Sequence, residues 1–355
     1  MQSSTSPPFT GLRTGEPRTA RDSVPTMRAL QLQSLDGPDA LKLVELAEPR
    51  EPHPLFAGDG VLIDVHSAGV AFPDLLMTRG QYQLRPELPF VPGYEVAGTV
   101  DAAPDTSELE PGSRVAAVTV VGGFAERVIA PAFATHRLPD RLSFAEGAGL
   151  VLNFHTAYFA LRLRGRLREG ETVLVHGAAG GVGTASLQVA RAAGAQTIAV
   201  VSSPEKERVA RQAGAEHVLR ADQAWREQAR EVTGGRGVDV VLDPVGGERF
   251  TDSLRSLAAG GRVVVVGFAE GSIPQVKVNR LLLTNTEVIG AAWLEYVRAR
   301  PAVARELAAV VDGLVNDGRI VPMVGARFPL ERGAGALRLI DERGAVGKVV
   351  IEVHS

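Results

Sequence analysis

A β-branched apolar run that leads into a cluster of glycines constrains this chain more than any other feature. The run is Val173 to Val175, and after the small residues at 177–183 apolar side chains recur at helical spacing up to Gly194. Such a run is typical of a buried strand, and the recurrence is typical of a helix that ends at glycine. Residues 173–194 therefore predict a strand, a tight turn and a helix.

The turn carries the spacing Ala178-x-Gly180-x-x-Gly183. This is a variant of the fingerprint with which a βαβ unit binds a dinucleotide, with alanine in the first glycine position. Small residues let the backbone turn sharply and approach a pyrophosphate, and the free N–H groups at the helix start face the anion. The alternative is a tight strand-to-helix turn that binds nothing.

Strand and helix signals alternate along the residues that follow. The predicted strands cover residues 197–201, 217–219, 238–242, 262–267 and 286–290. Two of the predicted helices between them cover residues 203–214 and 247–258. Alternation of this kind indicates a parallel, doubly wound α/β sheet and makes the nucleotide-binding reading the stronger one.

Residues 27–138 show a different pattern, with short apolar segments separated by glycine and proline. Three of these segments cover residues 60–66, 93–100 and 111–118. Several short strands at this spacing predict a separate, mostly β domain. Ser143 and Glu146 form a capping-box signature, which begins the helices that lead into the second domain.

The C-terminal region predicts an amphipathic helix at 301–315 and a final strand at 347–353. Because no crossover helix accompanies the final strand, we expect it to rejoin the sheet of the first domain. The nucleotide-binding domain is then an insertion within a discontinuous partner.

Residues 1–26 are rich in Ser, Thr, Pro and Gly and show no apolar periodicity, so we expect a disordered tail. Arginines among hydroxyl residues also occur in transit peptides, but the prolines oppose an amphipathic helix. Met27 is the expected start of the folded part.

Composition limits the classes of partner. The formal net charge of −3 and the pI near 6.2 give no reason to expect nucleic acid or an anionic membrane. No apolar run is long enough to span a bilayer. The chain has no cysteine, which excludes disulfides and cysteine-ligated zinc and fits a cytoplasmic location.

Five segments together resemble zinc-independent medium-chain dehydrogenases/reductases of the quinone oxidoreductase (zeta-crystallin-like) group. They are residues 69–74, 88–98, 173–183, 239–247 and the Gly347-Lys348 ending. The resemblance implies a Rossmann domain inserted in a GroES-like, mostly β catalytic domain. The expected boundaries are 27–152 and 293–355 for the two catalytic parts and 153–292 for the Rossmann part.

The resemblance also implies the residues that contact a nicotinamide cofactor. By position they are Thr156, Ala179, Gly180, Gly181, Val182, Ser202, Ser203, Lys206, Arg220, Asp243, Gly267, Phe268, Ala269 and Arg343. Among them, Thr156 is expected against the nicotinamide and Arg343 at the phosphates.

The end of the second predicted strand favours NADPH over NADH. An NAD site usually has an acidic residue there for the ribose 2′-OH. This chain has Ser202 and Ser203 instead, with Lys206 and Arg220 nearby to meet a 2′-phosphate. Glu205 is the opposing signal, although a carboxylate at a helix N-terminus offsets the dipole.

The substrate side is less constrained. We expect Phe72, Tyr82, Tyr94, Asn153 and Trp293 to line an apolar pocket, although aromatic residues are as often simple core. Tyr82 is the candidate proton donor. Ala71 and Leu76 stand where relatives often have Asn and Tyr, so no role of those side chains carries over.

Two polar residues of the expected cleft keep alternatives open. Asp74 and Glu95 are explained equally well by a salt bridge, a cap or catalysis. The histidines show no metal-ligand spacing, and His155, beside Thr156, is expected to shape the pocket rather than transfer a proton. Phe72 and Tyr94 stand near the positions where zinc-dependent relatives have ligands, so we expect no metal.

Two functions remain open. The first is NADPH-dependent hydride transfer to a quinone or to a carbon–carbon double bond conjugated to a carbonyl. The second is an NADPH-binding structural or regulatory role with little turnover. In either case we expect a homodimer that pairs the strand edges near Gly290.

Overall fold

The computed structural model describes residues 12–14, 25–50, 53, 55 and 58–354. Of the expected N-terminal tail, the backbone of Leu12–Thr14 forms a strand, β1, antiparallel to the segment Ala102 to Pro104. The rest of residues 1–24 lies outside the described residues, so disorder there stays a prediction. The next strand begins at Thr26, one residue before Met27, the expected start of the folded part.

The first domain is built on an eight-stranded sheet and a hairpin of two strands. The hairpin consists of β2, Thr26–Leu32, and β3, Leu41–Ala47. The sheet strands of the N-terminal part are β4 (Gly60–Val70), β5 (Glu95–Pro104), β6 (Arg114–Val118), β7 (Arg127–Pro131) and β8 (Thr135–Arg137). This confirms the predicted mostly β region.

The C-terminal strand returns to this sheet. The strands β15 (Val324–Pro329) and β16 (Lys348–Glu352) pair in parallel, and β16 pairs antiparallel with β4. The path through the sheet is β15-β16-β4-β5-β6-β8, with β7 on β4 and β1 on β5. The predicted rejoining is therefore confirmed, but its premise was wrong, because the helix Gly333–Asp341 connects the parallel strands β15 and β16.

The second domain is a six-stranded parallel sheet in the order β11-β10-β9-β12-β13-β14. Its strands are β9 (Thr172–His176), β10 (Gln196–Val201), β11 (His217–Arg220), β12 (Val238–Asp243), β13 (Leu257–Val265) and β14 (Glu287–Gly290). All five pairs are parallel. The order reverses between β9 and β12, and nucleotides bind at such a switch point.

Three α-helices precede β9 in the chain. They are α1 (Phe72–Thr78), α2 (Phe144–Gly147) and α3 (Thr156–Tyr158), the last flanked by π-helical turns at Val151–His155 and Phe159–Arg164. The predicted capping box at Ser143 is formed. The expected domain boundary between residues 152 and 153 falls inside the segment 151–164, which we call the linking helix.

The remaining helices lie between and after the parallel strands. They are α4 (Gly181–Ala192), α5 (Pro204–Gln212), α6 (Trp225–Val232), α7 (Phe250–Ser256), α8 (Asn279–Thr284), α9 (Trp293–Arg298), α10 (Pro301–Asn316) and α11 (Gly333–Asp341). No helix in the described part of the chain is long and apolar enough to cross a membrane.

The sequence places one helix boundary wrongly. The helix predicted to run from Gly247 to Ala258 is α7, Phe250–Ser256, and the strand expected from Arg262 begins at Leu257. The reason is a register shift against β12 around Gly260, whose φ of 75° is a left-handed conformation. Gly260 and Gly261, which lie between the predicted helix and the predicted strand, are therefore part of the strand.

The largest hydrophobic cluster joins the two domains. It contains the linking helix's Phe154 and Phe159, Tyr94 of the first domain, Val175 of β9 and Trp293 of α9. A shared core holds the two domains in one arrangement.

Candidate functional site

The predicted turn between β9 and α4 has the expected geometry. Gly177 has a left-handed φ of 57°, and Gly180 precedes the first residue of the twelve-residue helix α4. A Cβ added to Gly183 would lie 2.3 Å from the carbonyl oxygen of Gly177. The glycine loop, residues 177–183, therefore packs too closely for larger residues at its tightest point, and it presents the helix N-terminus to an anion.

The C-terminal segment touches this loop. The N–H of Gly347 donates to the carbonyl of Ala179 at 2.7 Å, and Gly347 forms a parallel bridge with Gly180. Sequence reasoning did not find this contact, because residues so far apart in the chain give no local signal of it.

Polar and cationic residues meet where β10 ends. The Lys206 ammonium donates to the Ser202 hydroxyl at 3.1 Å and to the Arg343 carbonyl at 2.7 Å. A guanidinium nitrogen of Arg220 lies 3.4 Å from the Ser202 carbonyl oxygen. Ser203 caps α5 through the Lys206 N–H. The structure thus brings these five predicted residues together, and we call them the basic cluster.

The basic cluster carries more positive than negative charge. Partial burial and the neighbouring Arg343 lower the pKa of Lys206, while Glu205 acts in the opposite direction. Asp222 pairs with Arg220 at 3.1 Å, but the buried Nε of Arg220 has no hydrogen-bond partner among the described residues. Crowded cations with an unused donor favour an anionic ligand such as a phosphate.

The ends of β12 and β13 form two packed turns. Asp243 is fully buried, and its Oδ1 accepts the N–H groups of Val245 and Gly246 at 2.8 and 2.9 Å. Its Oδ2 has no partner in the described part of the chain. Gly267, Phe268 and Ala269 follow β13, and the Ala269 N–H donates to the Pro244 carbonyl at 3.1 Å.

The linking helix supplies two predicted residues. A Cβ added to Gly181 would lie 2.7 Å from the Asn153 Nδ2, so the absence of a side chain on Gly181 makes room for the Asn153 amide beside the glycine loop. Thr156 is buried about one turn further along. π-Helical turns, which flank Thr156 on both sides, occur frequently at functional sites.

Two tyrosines meet on the first-domain side. The hydroxyls of Tyr82 and Tyr94 are 3.3 Å apart, and their rings pack edge to face at 6.3 Å. Burial raises the pKa of Tyr82 and raises that of Tyr94 well above its ordinary value, and the negative charges of Asp74 and Glu295 act in the same direction. Both hydroxyls are therefore poor acids.

Two other predicted pocket residues, Phe72 and Trp293, lie in different hydrophobic clusters. Phe72 packs against the hydrophobic core of the first domain's sheet, whereas Tyr82, Tyr94 and Trp293 belong to the cluster that joins the domains. Trp293 is almost fully buried, and its ring lies edge-on to that of His155 at 5.4 Å.

His155 also contacts His136, with ring centroids 5.2 Å apart. Burial, followed by the neighbouring His136, lowers the pKa of His155 well below its ordinary value, and burial lowers that of His136 to about 4. One nitrogen in each of the three rings, including Trp293 Nε1, is buried without a partner among the described residues. A neutral His155 agrees with the expectation that it shapes the pocket.

The structure gives Asp74 and Glu95 different partners. Asp74 accepts the N–H groups of Ala71 at 2.8 Å and Gly93 at 3.1 Å, so it caps α1 and fixes the following loop. Burial raises its pKa to about 7. Glu95 forms a buried ion pair with Lys348. The cap and the salt bridge therefore account for these carboxylates.

Comparison with known proteins places the chain among oxidoreductases. Residues 57–140 match the family described as "Alcohol dehydrogenase GroES-like domain", and residues 181–309 match that described as "Zinc-binding dehydrogenase". Quinone oxidoreductase-like protein 2 of Bos taurus is 38% identical over 317 residues, which are 88% of this chain and 89% of that protein.

Two solved structures extend the likeness to three dimensions. A probable oxidoreductase from Mycobacterium abscessus has 42% identity and a TM-score of 0.84, over 93% of this chain and 100% of that one. The quinone oxidoreductase from Thermus thermophilus, solved also as its complex with NADPH, has 38% identity and a TM-score of 0.79, over 92% and 100%.

A zinc site is the feature of these families that the residues of this chain do not fit. The sequence has no cysteine. In the described ranges, no group of three or more His, Asp or Glu could hold a metal ion. Independence from metal stays a prediction.

A nicotinamide dinucleotide does fit. The glycine loop leaves room for a close backbone approach, and the basic cluster lies at the end of the neighbouring strand, where Arg220 Nε has no partner among the residues that the structure describes. These two features would hold the pyrophosphate and a 2′-phosphate respectively.

Proposed function

Because the chain belongs to the quinone oxidoreductase-type group of the medium-chain dehydrogenases/reductases, we propose that it is an NADPH-dependent reductase of quinones or of carbon–carbon double bonds conjugated to a carbonyl. The observation that carries the cofactor assignment is the basic cluster. It joins Ser202, Lys206 and Arg343 at the strand end where an NAD site has a carboxylate.

The basic cluster draws on both domains. Ser202 and Lys206 belong to the inserted domain, whereas Arg343 follows α11 of the discontinuous partner. Binding of a dianionic phosphate there stabilises both pieces in one arrangement. The Arg343 backbone, with a left-handed φ of 57°, is already held by the Lys206 ammonium.

The residues near the linking helix orient the reactive half of the cofactor. Asn153 lies against the glycine loop, and Thr156 is on the same segment. Bound NADPH supplies a hydride from its nicotinamide ring. The contribution of this chain is to hold that ring and a flat acceptor at near-attack distance in a cleft from which water is excluded, and positioning alone can contribute roughly 7–11 kcal/mol.

The acceptor class follows from the acids that the cleft offers. Reduction of a simple ketone leaves a strongly basic alkoxide, which requires a metal or a positioned acid. Tyr82 and Tyr94 hydrogen-bond each other and have raised pKa values, and no zinc ligand set is present in the described residues. Quinones and enones instead give delocalised anions, which solvent can protonate later.

Single-turnover reduction with NADPH deuterated at C4 tests the proposal. We expect a primary isotope effect with a quinone or an enone, and much slower reaction with a saturated ketone. Faster reduction of the ketone, or no isotope effect when chemistry limits the rate, would contradict it. Failure with quinones, enones and acyl-thioesters alike, with NADPH still bound, would favour the structural or regulatory role.

We also propose a homodimer that forms through the edge of the parallel sheet. β14 is an edge strand, and the adjacent helix α8 exposes Leu282 and Leu283 by 76% and 78%. An uncovered edge beside exposed leucines favours association. Light scattering at micromolar concentration should give twice the chain mass for wild type and the single mass for Leu283→Asp. A monomeric wild type would refute the dimer.

A further inference from the structure

We infer that the buried ion pair of Lys348 and Glu95 positions the linking helix against the glycine loop, which makes both of them positioning residues for the nicotinamide half of the dinucleotide. The inference rests on the proposed NADPH site and adds residues that are outside the predicted cofactor contacts. It follows from three attachments of one short segment, Gly347-Lys348.

The first attachment is the ion pair itself. Lys348 begins β16, and its ammonium donates to Glu95 Oε1 on β5. The side chains are only 4% and 1% exposed. The second carboxylate oxygen of Glu95 accepts the N–H of Leu152 at 3.0 Å, in the first turn of the linking helix. Glu95 thus connects β16 to the start of that helix.

Small residues reserve the space for this pair. A Cβ added to Gly69 would lie 2.0 Å from the Ala148 carbonyl oxygen, 2.6 Å from Lys348 Cε and 2.7 Å from Glu95 Cγ. A Cβ added to Gly149 would lie 3.1 Å from Lys348 Cγ. The lysine stem is therefore enclosed along its length, and its ammonium is held on one carboxylate.

The neighbouring residue makes the second attachment. The Gly347 N–H donates to the Ala179 carbonyl in the glycine loop at 2.7 Å. The third attachment is the Lys348 N–H, which donates to the Met323 carbonyl at 2.7 Å just before β15. Two consecutive residues therefore hold the glycine loop, the linking helix and the first domain's sheet at fixed separations.

The consequence for the site comes through Leu152. The next residue is Asn153, whose amide lies against Gly181, and Thr156 follows about one turn later. Loss of the ion pair releases the Glu95 carboxylate. The hydrogen bond from the Leu152 N–H, which fixes the start of the linking helix, is then lost as well. The nicotinamide side of the site then moves relative to the glycine loop, whereas the basic cluster stays in place.

The experiment compares the nicotinamide side of the site, which should move, with the basic cluster, which should not. Dissociation constants are measured for NADPH and for 2′,5′-ADP, which contains only the phosphate-bearing adenosine half. In Lys348→Met we expect NADPH to bind on the order of tenfold more weakly, equivalent to about 1.4 kcal/mol. The dissociation constant of 2′,5′-ADP should stay within about twofold of the wild-type value, because this ligand binds at the basic cluster, which stays in place. Quinone turnover should fall on the order of 100-fold, because a small misplacement of the reacting groups has an effect of that size.

A matched control removes an ion pair from the same strand. Glu352→Gln on β16 breaks the exposed pair with Arg327, whose nitrogen and oxygen are 2.6 Å apart. We expect no change in either dissociation constant. If Lys348→Met does not fold, the double variant Glu95→Gln with Lys348→Met, which removes both buried charges, carries the test with the same expected split.

Equal weakening of NADPH and 2′,5′-ADP in a folded variant would overturn the inference, and so would a lower Tm with both constants unchanged. A wild-type protein that binds neither ligand would instead refute the proposed cofactor. Wild-type binding without turnover would refute the reductase activity and leave the positioning role standing.

Discussion

The proposed cofactor side and the proposed acceptor side of the site are built on different principles. On the cofactor side, backbone geometry and charge form the site: a glycine loop at a helix start and the basic cluster at the next strand end. On the acceptor side, rings pack on rings, with the Tyr82–Tyr94 pair and the His155–Trp293 contact. Several polar atoms there have no partner in the described part of the chain.

This difference shows which half of the site can vary. A phosphate-binding loop permits few substitutions, because its backbone N–H groups bind the anion and a larger side chain at its closest contacts would shift that backbone. A pocket of packed rings can change shape with each side chain, and therefore with each acceptor. We therefore expect a tightly constrained cofactor side and an acceptor side that no single side chain controls.

The largest effect is expected from Gly183→Ala. The added Cβ would meet the Gly177 carbonyl at 2.3 Å, so the turn must shift. We expect a loss of roughly 1–3 kcal/mol in the free energy of unfolding and of order 100-fold in kcat/KM for NADPH. The measurements are chemical denaturation and steady-state kinetics.

Gly180→Ala is the matched control for the turn. Its Cβ would be 3.5 Å from the same carbonyl oxygen, an ordinary contact, and its φ of −82° suits any residue. The stability should stay within about 0.5 kcal/mol of wild type. Equal destabilisation by both substitutions would show that steric closeness is not what constrains the loop.

The next effect concerns the basic cluster. Lys206→Ala removes the ammonium that links Ser202 to Arg343. A charge-assisted hydrogen bond contributes roughly 1.5–3 kcal/mol, so the preference for NADPH over NADH should fall by roughly 10- to 100-fold. Arg208→Ala, on the exposed side of the same helix, should leave the ratio of the two Michaelis constants unchanged. An unchanged ratio in Lys206→Ala would refute the phosphate assignment.

A smaller effect should appear as a pH dependence of stability. His176 is fully buried at the end of β9, its Nε2 lies 2.8 Å from the Ser253 hydroxyl, and burial lowers its pKa to about 4. The unfolded chain takes up this proton near pH 6.5. The contribution of His176 is therefore fully present above pH 6.5 and is lost as the pH falls from 6.5 towards 4.

Unfolding free energies at several pH values measure this loss. Wild type should lose up to about 1.4 kcal/mol per pH unit more than His176→Gln across that window. The exposed His217→Gln should keep the wild-type slope. Asp74 and Asp312, whose burial raises their pKa values to about 7 and about 6, change stability in the opposite direction in all three proteins and cancel in the comparison. Identical slopes for wild type and His176→Gln would contradict a buried neutral histidine.

The same division explains what could be predicted from the sequence. The glycine loop and the alternation that gives a parallel sheet follow from local patterns, because backbone turns and strand ends leave local signals. Arg220 and Arg343 of the basic cluster are instead expected from the family resemblance. The Gly347–Ala179 contact and the Glu95–Lys348 pair join residues far apart in the chain, and no local pattern encodes them.

Aromatic residues show most clearly what could not be predicted from the sequence. Phe72, Tyr94 and Trp293 all have the character of pocket residues, but Phe72 packs on the first domain's sheet while the other two pack where the domains meet. The direction of each ring is decided by tertiary packing. Sequence could also not anticipate α9, which carries Trp293, because six residues are too few for a periodic signal.

The smallest effect is expected on the acceptor side, from Tyr82→Phe. The Tyr82 hydroxyl lies 3.3 Å from that of Tyr94, and burial raises the pKa of both, so neither is a ready proton donor to a developing anion. If solvent protonates the delocalised product, loss of the Tyr82 hydroxyl should lower kcat less than about tenfold, well below the roughly 10²- to 10⁴-fold that general acid catalysis contributes. Tyr94→Phe tests the same pair from the other side and should behave alike, because each variant leaves one hydroxyl without the other. The measurement is single-turnover reduction of a quinone and of an enone by each variant. A loss above about 100-fold in Tyr82→Phe alone would make Tyr82 the proton donor, and the acceptor side would then depend on one side chain as strictly as the cofactor side depends on Gly183.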